Sequence, residues 1–369
     1  MLLQYGKSLV ERSVSIVCPR KRIFPFKKII NKTMTLWYTQ GFTTDAAEPD
    51  NIIGIHDLKI QRKILNQLHG NDCLIDTTWI KLTDELKKVL ETCRKENKRI
   101  YCYSGPDWDN YYSPPNEHHL RIREFAEVHN ALKEYNVTYI GNRLGQHYFS
   151  FWVDFVYENL SGYTQFDPYN FNDEIKPFMC LNRKPHRHRV ELTNLLEKRN
   201  LSTLGHVSIG GERVFLQTDI INPEGDKAVS GDIGITNDIS TLGHPHNWNS
   251  HFLNVVTETT TYSDVFITEK TLKPILGKRP FIILGDYNLY KLLQDWGFDT
   301  FDDLFGTGYN TTNYEKRIDW IINVITDIVK ENNFKDMLND LKPRLEHNYE
   351  NFIRIAKINR KNIDNLLDK

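Results

Sequence analysis

The stretch that decides the fold runs from Phe252 to Gly285 and reads FLNVVTETTTYSDVFITEKTLKPILGKRPFIILG. It predicts a strand, a loop, a helix and a second strand, with Glu258 ending the first strand and Glu269 and Lys270 opening the helix. A helix N-terminus offers free N–H groups and a partial positive charge to a phosphate. A carboxylate beside it can accept ribose hydroxyls, and a lysine can neutralise phosphate oxygens. The stretch therefore indicates a nucleotide-sugar site.

Composition limits the classes of protein that fit. The 369 residues suffice for two domains, each with its own core. Lys and Arg number 47 against 48 Asp and Glu, so the net charge of −1 argues against a protein that coats nucleic acid. Because there is no apolar run of about 18 residues, the sequence predicts no membrane span. The five cysteines include no CxxC pair, which argues against a zinc site or disulfide framework and favours a reducing, cytoplasmic location.

The first 33 residues are unusually basic, with eight Lys or Arg against the single acid Glu11. Three interpretations stay open: a transit-like peptide, an electrostatic tether, and an upstream extension read from an early start codon. Since a cleaner sequence begins at Met34, we favour the extension. We expect residues 1–33 to be a disordered arm that the fold does not need.

Apolar runs and helical spacings alternate along residues 51–145, which predicts a βαβ series and therefore a parallel sheet. The predicted elements are strands at Ile52–Ile55, Cys73–Ile75, Arg99–Tyr103 and Val137–Ile140, with helices at Leu82–Cys93 and Glu117–Tyr135. Residues 146–175 are rich in aromatic residues and are predicted to form loops, with a domain boundary near residue 172.

The same alternation continues in the second half. The predicted elements are strands at Lys176–Leu181, Val207–Ile209 and Val214–Leu216, helices at His186–Lys198, Tyr287–Trp296, Asn313–Lys330 and Phe334–Leu367, and a surface insertion at 217–247. The predicted domains are an N-terminal arm (1–33), an acceptor-side α/β domain (34–171), a donor-binding α/β domain (172–331) and a C-terminal helical segment (332–369). Two Rossmann-like domains with a long terminal helix describe the GT-B arrangement, whose active site lies in the interdomain cleft.

A second basic run spans Leu181 to Arg189 and reads LNRKPHRHR. It follows a predicted strand and opens a predicted helix, where Arg side chains can grip a diphosphate through two parallel hydrogen bonds. A solvated basic turn is the simpler interpretation of such a run. Its place in the same half of the chain as Glu269 and Lys270 favours phosphate contact.

These motifs together resemble the alpha-1,3-fucosyltransferase family over about residues 176–330. The matching pieces are Leu181–Asn182 with Arg189, Val256–Thr259, Phe266–Lys270, Pro280–Phe281 with Gly285, and the acidic segment Phe298–Asp303. The chain departs from the family pattern at Thr259, where the family has Asn, and at Pro274, where it has a small helix former.

The resemblance implies inverting transfer of a sugar, with fucose as the family's candidate, from a nucleotide-diphosphate donor to a glycan or other hydroxyl acceptor. A GDP-sugar is the favoured donor. It implies that Arg189 binds the diphosphate, Glu269 the ribose hydroxyls and Lys270 the phosphates, with Glu258 near the donor sugar. The predicted donor-binding set is Asn182, Arg183, Arg187, Arg189, Glu258, Thr268, Glu269 and Lys270. No cofactor or metal is needed when Arg and Lys supply the positive charge.

The predicted catalytic base lies in the turn-rich loop SGPDWDNYYSPPNEHH, where Asp107, Asp109 and Glu117 are the candidates. Asp107-Trp108-Asp109 also fits the short DxD motif with which GT-A glycosyltransferases hold a metal. The basic clusters in the other half favour the metal-free alternative.

Two further classes of function stay open. The first is a nucleotide-sugar or glycan-binding module without catalysis. The second is a DNA-modifying glycosyltransferase whose basic arm holds the duplex, although the sequence has no extended basic surface outside the arm and nucleic acid is therefore disfavoured.

Overall fold

The protein is a mixed α/β structure in which residues 33–369 form one compact unit. The computed structural model describes residues 36–38, 52–68, 70–76, 82–103, 127–128, 130–141, 147–148, 150–183, 185–209, 215–217, 239–259, 261 and 265–367. The base candidates Asp107, Asp109 and Glu117 lie outside these residues, as does the basic arm. The predicted domain division at residue 172 stays a prediction.

The first sheet is parallel throughout, as the βαβ pattern predicts, and its strands follow one another in chain order. They are β1 (Leu36–Tyr38), β2 (Asp72–Asp76), β3 (Arg99–Tyr103), β4 (Val137–Gly141) and β5 (His147–Tyr148). Helix α1 (Ile52–Gln67) precedes β2, and α2 (Asp84–Lys95) precedes β3. Residues 127–128 and 130–132 of the predicted helix at 117–135 are helical, and residues 117–126 lie outside the described ranges.

The predicted strand at Ile52–Ile55 is wrong, because these residues form the first turn of α1. A short apolar run fits a strand and a buried helix equally well. The residues that follow decide between them, since His56, Ile60 and Ile64 are buried at intervals of four, which is the spacing of a helix face.

Alternate residues of the first sheet pack against different clusters. Cys73 and Ile75 of β2 pack with Leu86 and Leu90 of α2, whereas Leu74 between them belongs to the large core that extends through the second sheet. This follows from the period of two along a strand. The first sheet is therefore covered on both faces.

The predicted loop at residues 146–175 is also wrong, because it contains α3 (Phe151–Glu158) and α4 (Leu160–Tyr163). The hydroxyl of Ser150 caps α3 by accepting the Val153 N–H at 3.4 Å. The first six residues of α3 are all buried. A helix that is apolar on every side has no amphipathic period to reveal it.

The second sheet has the spatial order β10-β9-β6-β7-β8, parallel except for the edge strand β8. Its strands are β6 (Lys176–Asn182), β7 (His206–Ile209), β8 (Phe215–Gln217), β9 (His251–Thr257) and β10 (Phe281–Leu284). Helix α5 (Arg187–Lys198) connects β6 to β7, α6 (Pro245–Asn249) precedes β9, and α7 (Glu269–Leu276) connects β9 to β10. The strand–helix–strand prediction for 252–285 is confirmed.

The predicted surface insertion at 217–247 is wrong at its C-terminal end. Ile239 and Leu242 are buried, and the Tyr163 hydroxyl donates a hydrogen bond to the Ile239 carbonyl. Residues 218–238 lie outside the described ranges.

Four helices complete the chain: α8 (Leu289–Asp295), α9 (Asp302–Phe305), α10 (Tyr314–Ile328) and α11 (Phe334–Leu367). Helix α11 has 34 residues and packs against α1, α3 and α7, so it joins elements from both halves of the chain. Arg360 of α11 donates to Asp154 of α3 at 2.8 Å, and Asn359 accepts the Ser150 N–H at 2.7 Å. No helix among the described residues is both long and apolar enough to cross a membrane.

Candidate functional site

The site lies where the second sheet reverses its winding. From β6 the chain crosses through α5 to β7 on one side, and from β9 it crosses through α7 to β10 on the other side. The carboxyl ends of the neighbouring strands β6 and β9 therefore meet at a topological switch point, with a helix leading away on each side. Open α/β sheets bind ligands in the crevice formed at such a point. The two helix N-termini begin within a few residues of it.

A network around Glu258 holds the start of α7. The Glu258 carboxylate accepts the Thr268 N–H at 3.0 Å, the Thr268 hydroxyl at 2.8 Å, the Thr271 hydroxyl at 2.6 Å and the Thr259 N–H at 3.2 Å. Thr268 is the N-cap of α7 and accepts the Lys270 N–H at 3.3 Å. Because four donors occupy the lone pairs of Glu258, its role in this geometry is to position α7 against the end of β9.

Glu269, the first residue of α7, is 95% buried, yet its carboxylate is only half satisfied. Its Oε1 accepts the Lys270 Nζ at 2.9 Å, and its Oε2 is buried with no hydrogen-bond partner among the described residues. Burial acts to raise the pKa of Glu269, but the charges of Lys270 and Lys273 and the Lys270 hydrogen bond outweigh it and hold the pKa below its usual value. Glu269 is thus an anion with one oxygen left to accept a hydrogen bond.

The start of α5 is tied across the switch point to the end of β9. His188 Nε2 donates to the Glu258 carbonyl at 2.7 Å, and Arg189 Nη2 donates to the Thr257 and Glu258 carbonyls at 3.1 and 3.3 Å. Burial lowers the pKa of His188 to about 4, so its ring is neutral near pH 7. Burial also lowers the pKa of Arg189, while the charges of Glu258 and Glu269 favour its protonated form.

The remaining predicted residues differ in how closely they join this group. Asn182, the last residue of β6, accepts the Thr257 hydroxyl and so links the two strand ends. Arg183 follows it and is half-buried, and the charge of Glu269 partly offsets the effect of burial, which lowers its pKa. The Arg187 side chain is 91% exposed and donates to Glu191 at 2.7 Å, so its described contact lies on the solvent side of α5.

The charges near the switch point favour an anionic ligand. Arg183, Arg189 and Lys270 supply three cations against the two carboxylates of Glu258 and Glu269. Two helix N-termini add partial positive charge. The arrangement can hold a diphosphate and, through the open Glu269 oxygen, a hydroxyl donor.

Sequence reasoning did not include His188, Thr257 or Thr271 in the site. His188 stands between two arginines in a run that reads as a phosphate clamp, and its contact with the Glu258 carbonyl joins residues 70 apart in the chain. Thr257 and Thr271 flank Glu258 and Glu269 in the motif. A threonine close to a predicted acid is a weak signal, because only the folded structure shows that the Thr257 hydroxyl donates to Asn182 and the Thr271 hydroxyl to Glu258.

Within the described residues, no group of three or more His, Cys, Asp or Glu is arranged to hold a metal ion. The Asp107-Trp108-Asp109 motif and the other base candidate, Glu117, lie outside those residues. Their roles stay predictions.

The chain has a slight likeness to some solved structures. No family model matches the chain, and no curated protein matches it. Solved structures of alpha1,3-fucosyltransferase align with it at low similarity: one with GDP-fucose at 14% identity and a TM-score of 0.29, and one with GDP at 13% identity and a TM-score of 0.29. Each alignment covers 87% of this chain and 94% of the other. At these values the likeness is too slight to carry a function, which depends on this chain's own residues.

Proposed function

We propose that the protein is a glycosyltransferase that moves a sugar from a nucleotide-diphosphate donor to an acceptor hydroxyl, with a GDP-sugar as the favoured donor. The observation that carries the proposal is the half-satisfied, buried carboxylate of Glu269 beside Lys270 at the switch point of the second sheet. A buried acceptor without a partner costs about 1–3 kcal/mol, and a ribose hydroxyl would satisfy it. The motif resemblance of residues 176–330 supports the same reading.

In the proposed site the diphosphate lies between the N-termini of α5 and α7. Arg183, Arg189 and Lys270 neutralise its oxygens, and Lys270 exchanges its contact with Glu269 Oε1 for a phosphate oxygen. The same cations stabilise the negative charge that develops on the departing diphosphate. Because these side chains supply the positive charge, the proposed transfer is metal-independent.

Inversion at the anomeric carbon needs one general base that takes the proton of the acceptor hydroxyl as it attacks. We propose that this base is a carboxylate among Asp107, Asp109 and Glu117, as the sequence predicts. The base and the donor site then come from different halves of the chain, which is the GT-B arrangement.

A thermal-shift screen with GDP-, UDP-, CMP- and dTDP-sugars tests the donor class. A donor present at about 100 times its Kd should raise the free energy of unfolding by roughly 2.7 kcal/mol. We expect the largest stabilisation from a GDP-sugar, and no stabilisation by any of the four would contradict a nucleotide-sugar function.

A transfer assay with the stabilising donor then separates an enzyme from a binding module. We expect sugar transfer that persists in EDTA. Binding without transfer to any of a set of glycan acceptors would favour the binding module, and transfer that is lost in EDTA and restored by manganese would favour the Asp107-Trp108-Asp109 motif as a metal site.

A further inference from the structure

A cavity opens at the edge of the second sheet opposite to the candidate site. It has a volume of about 450 Å³ and is built around Lys176, the first residue of β6, His206, the first residue of β7, and Ser250, which directly precedes β9. The candidate nucleotide site lies at the other ends of β6 and β9. Seven residues of β6 separate the two edges, a distance of about 20 Å at about 3.3 Å per residue.

The polar walls of this cavity are held in fixed positions. His206 is 99% buried, and its Nε2 lies 2.8 Å from the Ser250 hydroxyl, which in turn donates to the Asn247 carbonyl. On the other wall Asn172 Nδ2 lies 3.0 Å from His246 Nδ1. Side chains fixed in this way lose little conformational entropy when a ligand binds. The volume falls in the range of about 300–1,000 Å³ that is usual for small-molecule sites.

The charges in the cavity argue against an anionic ligand. Lys176 pairs with Glu174 at 2.6 Å, which leaves Asp173 as an unbalanced negative charge on the lining. A phosphate or nucleotide would therefore be repelled here, whereas it is attracted at the opposite edge. The two edges of the sheet therefore differ in the charge of the ligand that they favour.

The kinds of hydrogen-bonding group narrow the ligand class further. Among the described residues that line the cavity, Phe171 is the one large apolar side chain, so a mainly apolar ligand finds little surface. The hydrogen bonds within the lining leave Asn172 Oδ1 as an acceptor and His246 Nε2 as a donor for a ligand, because His246 Nδ1 accepts the Asn172 amide. A sugar hydroxyl both donates and accepts, whereas an ammonium group only donates. We propose that this cavity is a second binding site, for a neutral saccharide, distinct from the proposed nucleotide site and independent of the proposed activity.

Saturation-transfer NMR on the full chain with a panel of neutral methyl glycosides, each at millimolar concentration, tests the proposal. The panel comprises glucosides, galactosides, mannosides, fucosides and both N-acetylhexosaminides. We expect at least one glycoside to bind, and GDP to leave its signal unchanged. Absence of binding by every member of the panel would overturn the proposal, as would displacement of the bound glycoside by GDP.

Two variants locate the site. His246→Ala removes an imidazole that lines the cavity. Asp173→Ala removes an exposed carboxylate from the lining and leaves the core unchanged. We expect each to weaken glycoside binding by about tenfold, the effect of roughly one lost hydrogen bond. Lys270→Ala at the opposite edge is the matched control and should bind the glycoside as the wild type does. Wild-type binding by the Asp173→Ala variant, with a normal melting curve, would place the saccharide elsewhere and overturn the proposal.

Discussion

At the scale of single residues, Glu269 has a structural reason and a functional reason to be acidic. A carboxylate in the first turn of a helix gains about 0.3–1 kcal/mol from the helix dipole, whatever the protein does. A carboxylate with one buried, unpartnered oxygen has a further capacity that helix support does not use. The two reasons predict different effects of the same substitution.

We predict that Glu269→Gln weakens GDP binding by about tenfold or more, because it removes a charge-assisted contact to ribose worth about 1.5–3 kcal/mol. Calorimetry would measure the Kd, and 2′-deoxy-GDP should bind the wild type more weakly than GDP. Glu315→Gln, which removes an exposed acid from the first turn of α10, is the matched control and should leave the Kd unchanged. Equal binding of GDP and 2′-deoxy-GDP to the wild type would contradict a contact between Glu269 and the ribose, and would leave Glu269 only the role of stabilising the start of α7.

His188 gives a prediction about pH. Its pKa is about 4 in the folded protein against about 6.5 for an unperturbed histidine, so between these values the unfolded chain binds more protons. The free energy of unfolding must therefore rise with pH between pH 4 and 6.5. Above pH 6.5 the part of it that depends on His188 is fully present. The contribution of His188 amounts to about 3 kcal/mol as an order of magnitude.

Urea unfolding at several pH values would measure this term. We predict a shallower rise of the unfolding free energy between pH 4 and 6.5 in His188→Asn than in the wild type. The comparison is needed because His251 is also buried with a lowered pKa and adds a slope of the same sign. An unchanged slope in the variant would mean that His188 is protonated in the folded protein.

At the scale of elements, the loop between β9 and α7 joins Glu258 to Thr268. Helix α10 contacts this loop through Arg317. Arg317 of α10 is buried and donates to the Thr261 carbonyl at 2.6 Å and to the Thr311 carbonyl at 2.7 Å. Asp286 and Tyr287, which follow β10, also lie near its charge. Arg317 therefore fixes a loop at the same edge of the sheet as the candidate site.

We predict that Arg317→Lys raises the Kd for GDP several-fold, because a lysine cannot reach both carbonyls and the loop loosens. Arg279→Lys is the matched control, since Arg279 is equally buried and bonds the His251 and Trp248 carbonyls at the amino edge of the sheet. Both variants should melt at lower temperature, and only Arg317→Lys should change the Kd. If the two changed the Kd alike, the effect would be general loosening.

Sequence patterns predict elements best where the apolar period is clear. The helices α5, α10 and α11 lie within a residue or two of their predicted bounds, because each has one buried face. The strands β2, β3 and β6 do so as well, although β2 and β3 are buried on both faces. The run Ile52–Ile55 and the buried helix α3 carry no such period, so their type depends on what packs around them. The contact between Arg317 and Thr261 spans 56 residues, and no local pattern encodes it.

The candidate site divides in the same way. Glu269 and Lys270 are visible in the sequence because helix-start chemistry is local. The switch point is not visible, because it depends on β9 pairing with β6, which lies before β7 in the chain. Strand order is a property of the folded sheet.

At the scale of the whole molecule, α11 links the helices of the first half to those of the second. Asp154 of α3 accepts His56 Nε2 of α1 at 3.0 Å and Arg360 Nε of α11 at 2.8 Å. Glu158 one turn later pairs with Lys59 and Arg360 in a more exposed position. The two acids contact the same helices at different depths.

We predict that Asp154→Asn lowers the free energy of unfolding by about 1–3 kcal/mol, because it leaves buried donors without a charged partner. Glu158→Gln should cost about 0–1 kcal/mol, as exposed ion pairs do. Urea unfolding of both variants would show which of them loses more unfolding free energy. A larger loss for Glu158→Gln would show that the outer pairs, and not Asp154, hold α11 in place.

The proposed function requires that a nucleoside diphosphate binds at the carboxyl ends of β6 and β9. Isothermal titration calorimetry of GDP against the wild type, Lys270→Ala and Lys198→Ala tests it most directly, since Lys198 is an exposed cation at the far end of α5. We predict binding to the wild type, the same Kd for Lys198→Ala, and a Kd raised about tenfold or more for Lys270→Ala, with normal melting curves throughout. Wild-type affinity in Lys270→Ala, or no binding of GDP to any of the three, would contradict it.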